Sequence, residues 1–152
     1  MTAKLSSSTS NTSLYDRDYY LWLDHTAQLI KEGKLSEVDT VNLIEEIEDM
    51  GRSEQRAVKS NLVILLLHLL KYKYQPSKRS NSWKASIREH RRRLRDDFKV
   101  SPSLKRYFEA IFSEAYQDAR EQTSDETGLP LDTFPTDAPF TSIETLNPDY
   151  LP

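Results

Sequence analysis

The chain has 152 residues, a formal net charge of −3, 37% hydrophobic and 30% charged residues, and no cysteine. That length suits one domain around one core, and the apolar content is above the poverty that forces disorder. Without cysteine there can be no disulfide framework, thiolate zinc site or cysteine nucleophile, and the expected compartment is a reducing cytoplasm. The longest apolar run, Leu62 to Leu67, falls far short of the roughly 20 residues that cross a bilayer, so no membrane partner is expected.

The charges are segregated. Residues 32–54 hold eight acids and two bases, 55–106 fifteen bases and three acids, and 107–152 ten acids and one base. Such blocks either neutralise one another across neighbouring elements, the preferred reading, or offer a surface to a polyanion.

Residues 1–13, MTAKLSSSTSNTS, read as a disordered leader, since no apolar stretch follows Lys4 to make a secretory signal. A first helix is predicted over about Asp16–Lys31, with Tyr15, Tyr19, Trp22, Leu23, Thr26, Ala27 and Ile30 on one face and Gly33 as its stop. A second opens near Ser36 as N-cap and buries Val41, Leu43, Ile44, Ile47 and Met50. Gly51 interrupts or kinks it, so that 37–74 is either one kinked rod or two helices with Ser53 as a new cap. Beyond Gly51 the stripe Val58, Leu62, Leu65, Leu66 and Leu69 widens until the helix is apolar nearly all round, as a central buried helix is. Pro76 closes it.

The next helix, about Ser82–Val100, carries Trp83, Ile87, Leu94 and Phe98 inward. The last long helix starts with Ser101 as cap and Pro102 at its first helical position, runs on Leu104, Phe108, Ile111, Phe112, Ala115 and Ala119, and stops at Gly128. Residues 129–152 hold five of the seven prolines together with Leu131, Phe134, Phe140, Ile143, Leu146 and Tyr150. That mixture predicts a strap laid on the helices, with one turn opened by a capping box of Thr141 and Glu144. Short connections between amphipathic helices imply antiparallel neighbours. The expected fold is therefore all-α: an up-and-down helical bundle of four to five helices over 14–128, with an extended C-terminal strap.

Several strings occur in order: YDRDYYLWL, NLIEEIEDMGRSE, HLLKYKYQP, RSNSW, SPSL, ETGLP, FPTDAPFT and TLNPDYLP. Together they resemble a bacterial family, abundant in cyanobacteria, called domain of unknown function 29, and the resemblance covers about residues 14–152. It implies an all-helical fold and no established activity. The family pattern commonly has a cysteine where this chain has Ala138, which removes any role for that thiol here.

Three constellations are candidates for chemistry. Glu45, Glu48 and Asp49, with Glu46 between them, could hold magnesium or manganese through carboxylates three or four residues apart, as in a hydrolase of nucleotides or nucleic acids. A second acidic pair would be needed, and Glu114 with Asp118 is the available one. On a helical wheel Glu45 and Asp49 lie well away from the apolar side, so a solvated or salt-bridged face is the preferred reading. His68, with Lys71 one turn on, is the candidate for proton transfer, weighed against a structural histidine satisfied by neighbours. His90 falls on its helix's apolar stripe and reads as structural, and His25 carries no signal.

The third is the basic helix SWKASIREHRRRLRDDFKV. Arg88, Arg92, Arg95 and Lys99 share one side of it, with Lys78 and Arg79 just before it, as a surface for a partner protein or for phosphates. Glu89, Asp96 and Asp97 interrupt the field, and no recognised nucleic-acid motif is present, which favours a protein partner over nucleic acid. Nothing matches a phosphate loop, hydrolase elbow or zinc-protease helix. The sequence therefore reads as a non-enzymatic binding or adaptor module needing no cofactor, with the metal-dependent hydrolase as the alternative and strap exchange as a route to a homodimer.

Overall fold

A computed structural model describes residues 13–152, and the leader read over 1–13, apart from Ser13, lies outside the described residues. The fold is all-α: six α-helices joined by short 3-10 turns, with no strand among the described residues. The helices are α1 (Leu14–Arg17), α2 (Tyr19–Lys31), α3 (Thr40–Tyr74), α4 (Asn81–Val100), α5 (Leu104–Thr127) and α6 (Ser142–Leu146). None is long and apolar enough to cross a membrane. Contacts divide the chain into two compact units, one ending at Gly51 and one beginning at Arg52.

In the first unit the expected single opening helix is broken at Asp18, whose extended backbone (φ −151°, ψ 85°) ends α1 while its carboxylate caps α2 through Leu21 N–H. Its buried face is Trp22, Thr26 and Leu29; the predicted Ile30 and Leu23 are exposed. Gly33 stops α2 with φ 73°, a left-handed conformation that a side chain would strain. Ser36 does not cap α3, because it lies within the 3-10 turn Leu35–Glu37; the Asp39 carboxylate accepts from Asn42 N–H instead.

The side of α3 that this unit covers is also turned by about one residue from the expected one. Val41, Ile44, Ile47 and Met50 are exposed, while Asn42, Leu43 and Glu46 are half-buried. The cause is the neighbour: Tyr15 and Tyr19 present hydroxyls that both donate to Glu46, the second at 2.5 Å, so a polar position is drawn inward. Tyr15, Tyr19 and Trp22 stack edge and face around this contact. The shared carboxylate pushes the Tyr15 hydroxyl up to about 12. The helix passes through Gly51 and Ser53 without a break, since Gly51 keeps helical geometry and costs only about 1 kcal/mol relative to alanine there.

The second unit is built on the leucine-rich end of α3. Val58, Leu62, Leu65, Leu66, Leu69 and Leu70 are completely buried, in one cluster with Ile87, Leu94, Phe108, Ala115, Tyr116, Ala119, Phe134 and Phe140. Side-chain pairings give the helix directions. Along α3, Lys59 meets Glu114 and Asp118 while Lys71 meets Glu126, so α3 and α5 run parallel. His68 lies against Ser86 and Lys71 over the Trp83 ring, so the partner number falls as α3 advances and α4 runs antiparallel to α3. This is the up-and-down order expected. Ser101 differs from its predicted role: it closes α4 by donating its N–H to Asp97 O, and α5 starts at Leu104.

The strap after Gly128 (φ 72°) pairs its own backbone in short turns and in α6, and side chains of α5 satisfy the carbonyls of Phe134, Pro135 and Thr136 between them. Arg120 Nε donates to Phe134 O (2.9 Å), Tyr116 Oη to Pro135 O (2.6 Å) and Gln117 Nε2 to Thr136 O (2.7 Å). Phe134 and Phe140 are the buried anchors; Leu131 and Ile143 are exposed, and Thr145 takes the inward position on α6. The Thr141–Glu144 capping box forms as expected.

Replacing the fully buried Leu65 by alanine should lower the unfolding free energy by about 2–5 kcal/mol, and Leu65→Met by less than about 1.5 kcal/mol, in urea titrations. A Leu65→Ala cost under about 1 kcal/mol would show that this helix is not the hub of the core.

Candidate functional site

Helix α4 presents two faces. Ser80 caps it by accepting from Trp83 N–H at 3.2 Å, and Ile87 and Leu94 enter the core. Lys84, Arg88, Arg91 and Arg95 recur every three or four residues and so lie along one side. With Ile87, and with Pro148 and Leu151 of the strap, they line a cavity of ≈ 110 Å³. Among the described residues no carboxylate lies within ion-pair distance of any of the four.

Arg91 is the unusual member, because its side chain is 2% exposed. A buried guanidinium needs acceptors, and here they are two carbonyls in the last turn of α6, Thr145 O and Glu144 O, the second of which also accepts from Asn147 N–H. Nε donates to Thr145 O at 2.8 Å and Nη2 to Glu144 O at 3.4 Å, while Nη1 has no protein acceptor among the described residues. Burial, and then the neighbouring Arg95 charge, pull this guanidinium down to about 10, with Tyr150 opposing. It remains cationic at neutral pH.

Of the six predicted basic residues, Arg88 and Arg95 meet at the cavity and the others do not. Arg92 is held by Glu89 (2.7 Å) and Asp96 (3.1 Å), and Glu89 also takes Arg93 at 3.0 Å, so the middle of the predicted ridge is neutralised on its own helix. Arg79 lies over the Tyr72 ring (4.3 Å) and donates to Tyr72 O and Pro152 O, a bracing role. Lys78 and Lys99 are exposed, on the turn before α4 and in its last turn. Arg91 was missed by the sequence reading. Its signal was there: position 91 stands midway between Ile87 and Leu94 on the apolar stripe, where an arginine has to be buried with partners.

His68, Lys71, Ser86 and His90 gather between α3 and α4. His68 Nδ1 lies 2.8 Å from Ile64 O and His90 Nδ1 2.8 Å from Ser86 O. A carbonyl only accepts, so each Nδ1 carries a proton, and Ser86 Oγ at 3.4 and 3.3 Å finds no base in either. Lys71 is paired with Glu126 at 3.2 Å.

Of the acidic residues, Glu45, Glu48 and Asp49 are exposed, and Glu45 and Asp49 have partners of their own. The second acidic pair, Glu114 and Asp118, grips Lys59 Nζ at 3.0 and 3.2 Å. No group of three or more metal-ligating side chains occurs among the described residues.

Fold and site together define an all-helical module with a cationic cavity between one helix and a C-terminal strap. The chain belongs to the family described as domain of unknown function DUF29, whose model matches residues 14–151. Comparison with curated proteins and with solved structures gives no match.

Burial holds the His68 imidazole below its ordinary value, against the raising effect of the Ile64 carbonyl. The folded protein therefore resists a proton that the unfolded chain binds, so this contribution to stability is complete above about pH 6.5 and is lost as pH falls below it. The urea midpoint should fall between pH 7 and pH 5, and His68→Asn should fall less. Equal falls would remove His68 as the cause.

Proposed function

We propose that this protein is a non-enzymatic binding module that docks an acidic segment of a partner protein on the basic side of α4. The observation that carries this reading is the set Lys84, Arg88, Arg91 and Arg95 around one cavity with no carboxylate among them. Like charges gathered on one helix face repel, and an anionic partner is what offsets that repulsion. Elsewhere in the same unit Lys59 and Lys71 of α3 are matched by acids of α5, and Arg92 and Arg93 by acids of α4, whereas the four around this cavity crowd together with no acid among them.

A protein partner suits the surface better than a phosphate backbone. Arg92 is spent on Glu89 and Asp96, which takes the middle out of the ridge from Arg88 to Lys99 that successive phosphates would follow. Pro148 and Leu151 add an apolar rim. No cofactor enters this role, and the cysteine-free composition suits the cytoplasm.

Fluorescence anisotropy with a labelled glutamate-rich peptide, and with single-stranded DNA and RNA of equal charge, tests it at low and moderate salt. The peptide should bind, and reversing Arg88 and Arg95 to glutamate should weaken it on the order of tenfold or more. Tighter binding of the nucleic acids, or no effect of the reversal, would contradict the reading.

A further inference from the structure

We infer that the cavity between α4 and the strap is a pocket for a carboxylate on a short aliphatic stem, and that a glutamate side chain of the partner occupies it. This rests on the binding role proposed above and adds the chemistry of the contact.

The cavity has two kinds of wall. One is cationic, from Lys84, Arg88, Arg91 and Arg95; the other is apolar, from Ile87, Pro148 and Leu151. A volume of ≈ 110 Å³ holds several water-sized groups, enough for a carboxylate and the methylenes behind it. At the charged end Arg91 has two of its nitrogens fixed on Thr145 O and Glu144 O, and Nη1 has no acceptor among the described residues. Fixed in this way, its donor fork loses little freedom when an anion arrives, and the two oxygens of a carboxylate match such forks. Arg88 and Arg95, one turn to either side, can close on the same anion.

The apolar wall decides between anions. Inorganic phosphate carries oxygens in every direction and would turn one toward Ile87 and Leu151, losing water with no hydrogen bond in return. A glutamate turns its methylenes that way instead. Because the wall is partly strap, the occupant touches both α4 and the segment that Arg91 ties to it.

Methyl NMR of the full chain, titrated separately with glutarate, inorganic phosphate and the glutamate-rich peptide, tests this. Glutarate and peptide should move the Ile87 and Leu151 methyl signals in the same direction. Arg95→Gln should weaken glutarate about tenfold, as losing one charged hydrogen-bond partner does, with the urea midpoint unchanged because Arg95 is exposed. Leu151→Asp should abolish the Ile87 shift with glutarate and with peptide alike by placing a carboxylate in the wall.

Peptide binding that leaves both methyls still would overturn the pocket and leave the binding module standing. Phosphate moving the same methyls at equal or lower concentration would overturn the aliphatic stem. Glutarate binding with no peptide binding would overturn the glutamate side chain as occupant, and the protein-partner role with it, in favour of a free short-chain acid.

Discussion

A guanidinium buried without a carboxylate is costly unless its donors find acceptors, and Arg91 finds them on the carbonyls that end α6. That bond does two things at once. It joins the strap to α4 across more than fifty residues of chain, and it keeps a full positive charge at the edge of a cavity. A carboxylate partner would have secured the strap equally well while cancelling the charge. Carbonyl partners leave it in force, so the same contact that completes the fold also defines the site.

The rest of the second unit can be understood as support for this arrangement. The leucines of α3 share one core with α4 and α5, which run up, down and up in chain order, and α5 holds the proline-rich strap by its carbonyls through Tyr116, Gln117 and Arg120. The charge blocks are resolved in part. Lys59 and Lys71 on α3 are answered by acids on α5, and Arg92 and Arg93 by acids on their own helix. Of the bases with no ion pair among the described residues, Lys84, Arg88, Arg91 and Arg95 gather around one cavity where α4 meets the strap.

Much of the fold was legible in the sequence because it rests on periodicity. Val58, Leu62, Leu65, Leu66 and Leu69 follow the helical repeat, and Gly33, Gly128 and the Thr141–Glu144 box mark ends that local chemistry dictates. What the sequence obscured depends on partners distant in the chain. The inward turn of Glu46 needs two tyrosine hydroxyls about thirty residues earlier, and no local pattern announces them. Ser36 and Ser101 were sound caps by residue type, but Asp39 and the closing turn of α4 claimed those ends. In the site, Arg88 and Arg95 could be read from their spacing, whereas Arg91 was hidden by the assumption that an arginine in a basic run faces water. Its place on the apolar stripe was the better guide.

The most direct test is native-state hydrogen exchange of the full chain and of Arg91→Lys, followed at the amides of Thr145 in α6 and of Asn147, which caps its end, and of Leu65 and Leu69 in α3. Lysine keeps the charge but lacks the fork that reaches two carbonyls. The account predicts that α6 loses on the order of tenfold or more of its protection while the leucines keep theirs, since a hydrogen bond from a charged group contributes roughly 1.5–3 kcal/mol. Unchanged protection in α6, or an equal loss at all four amides, would contradict it.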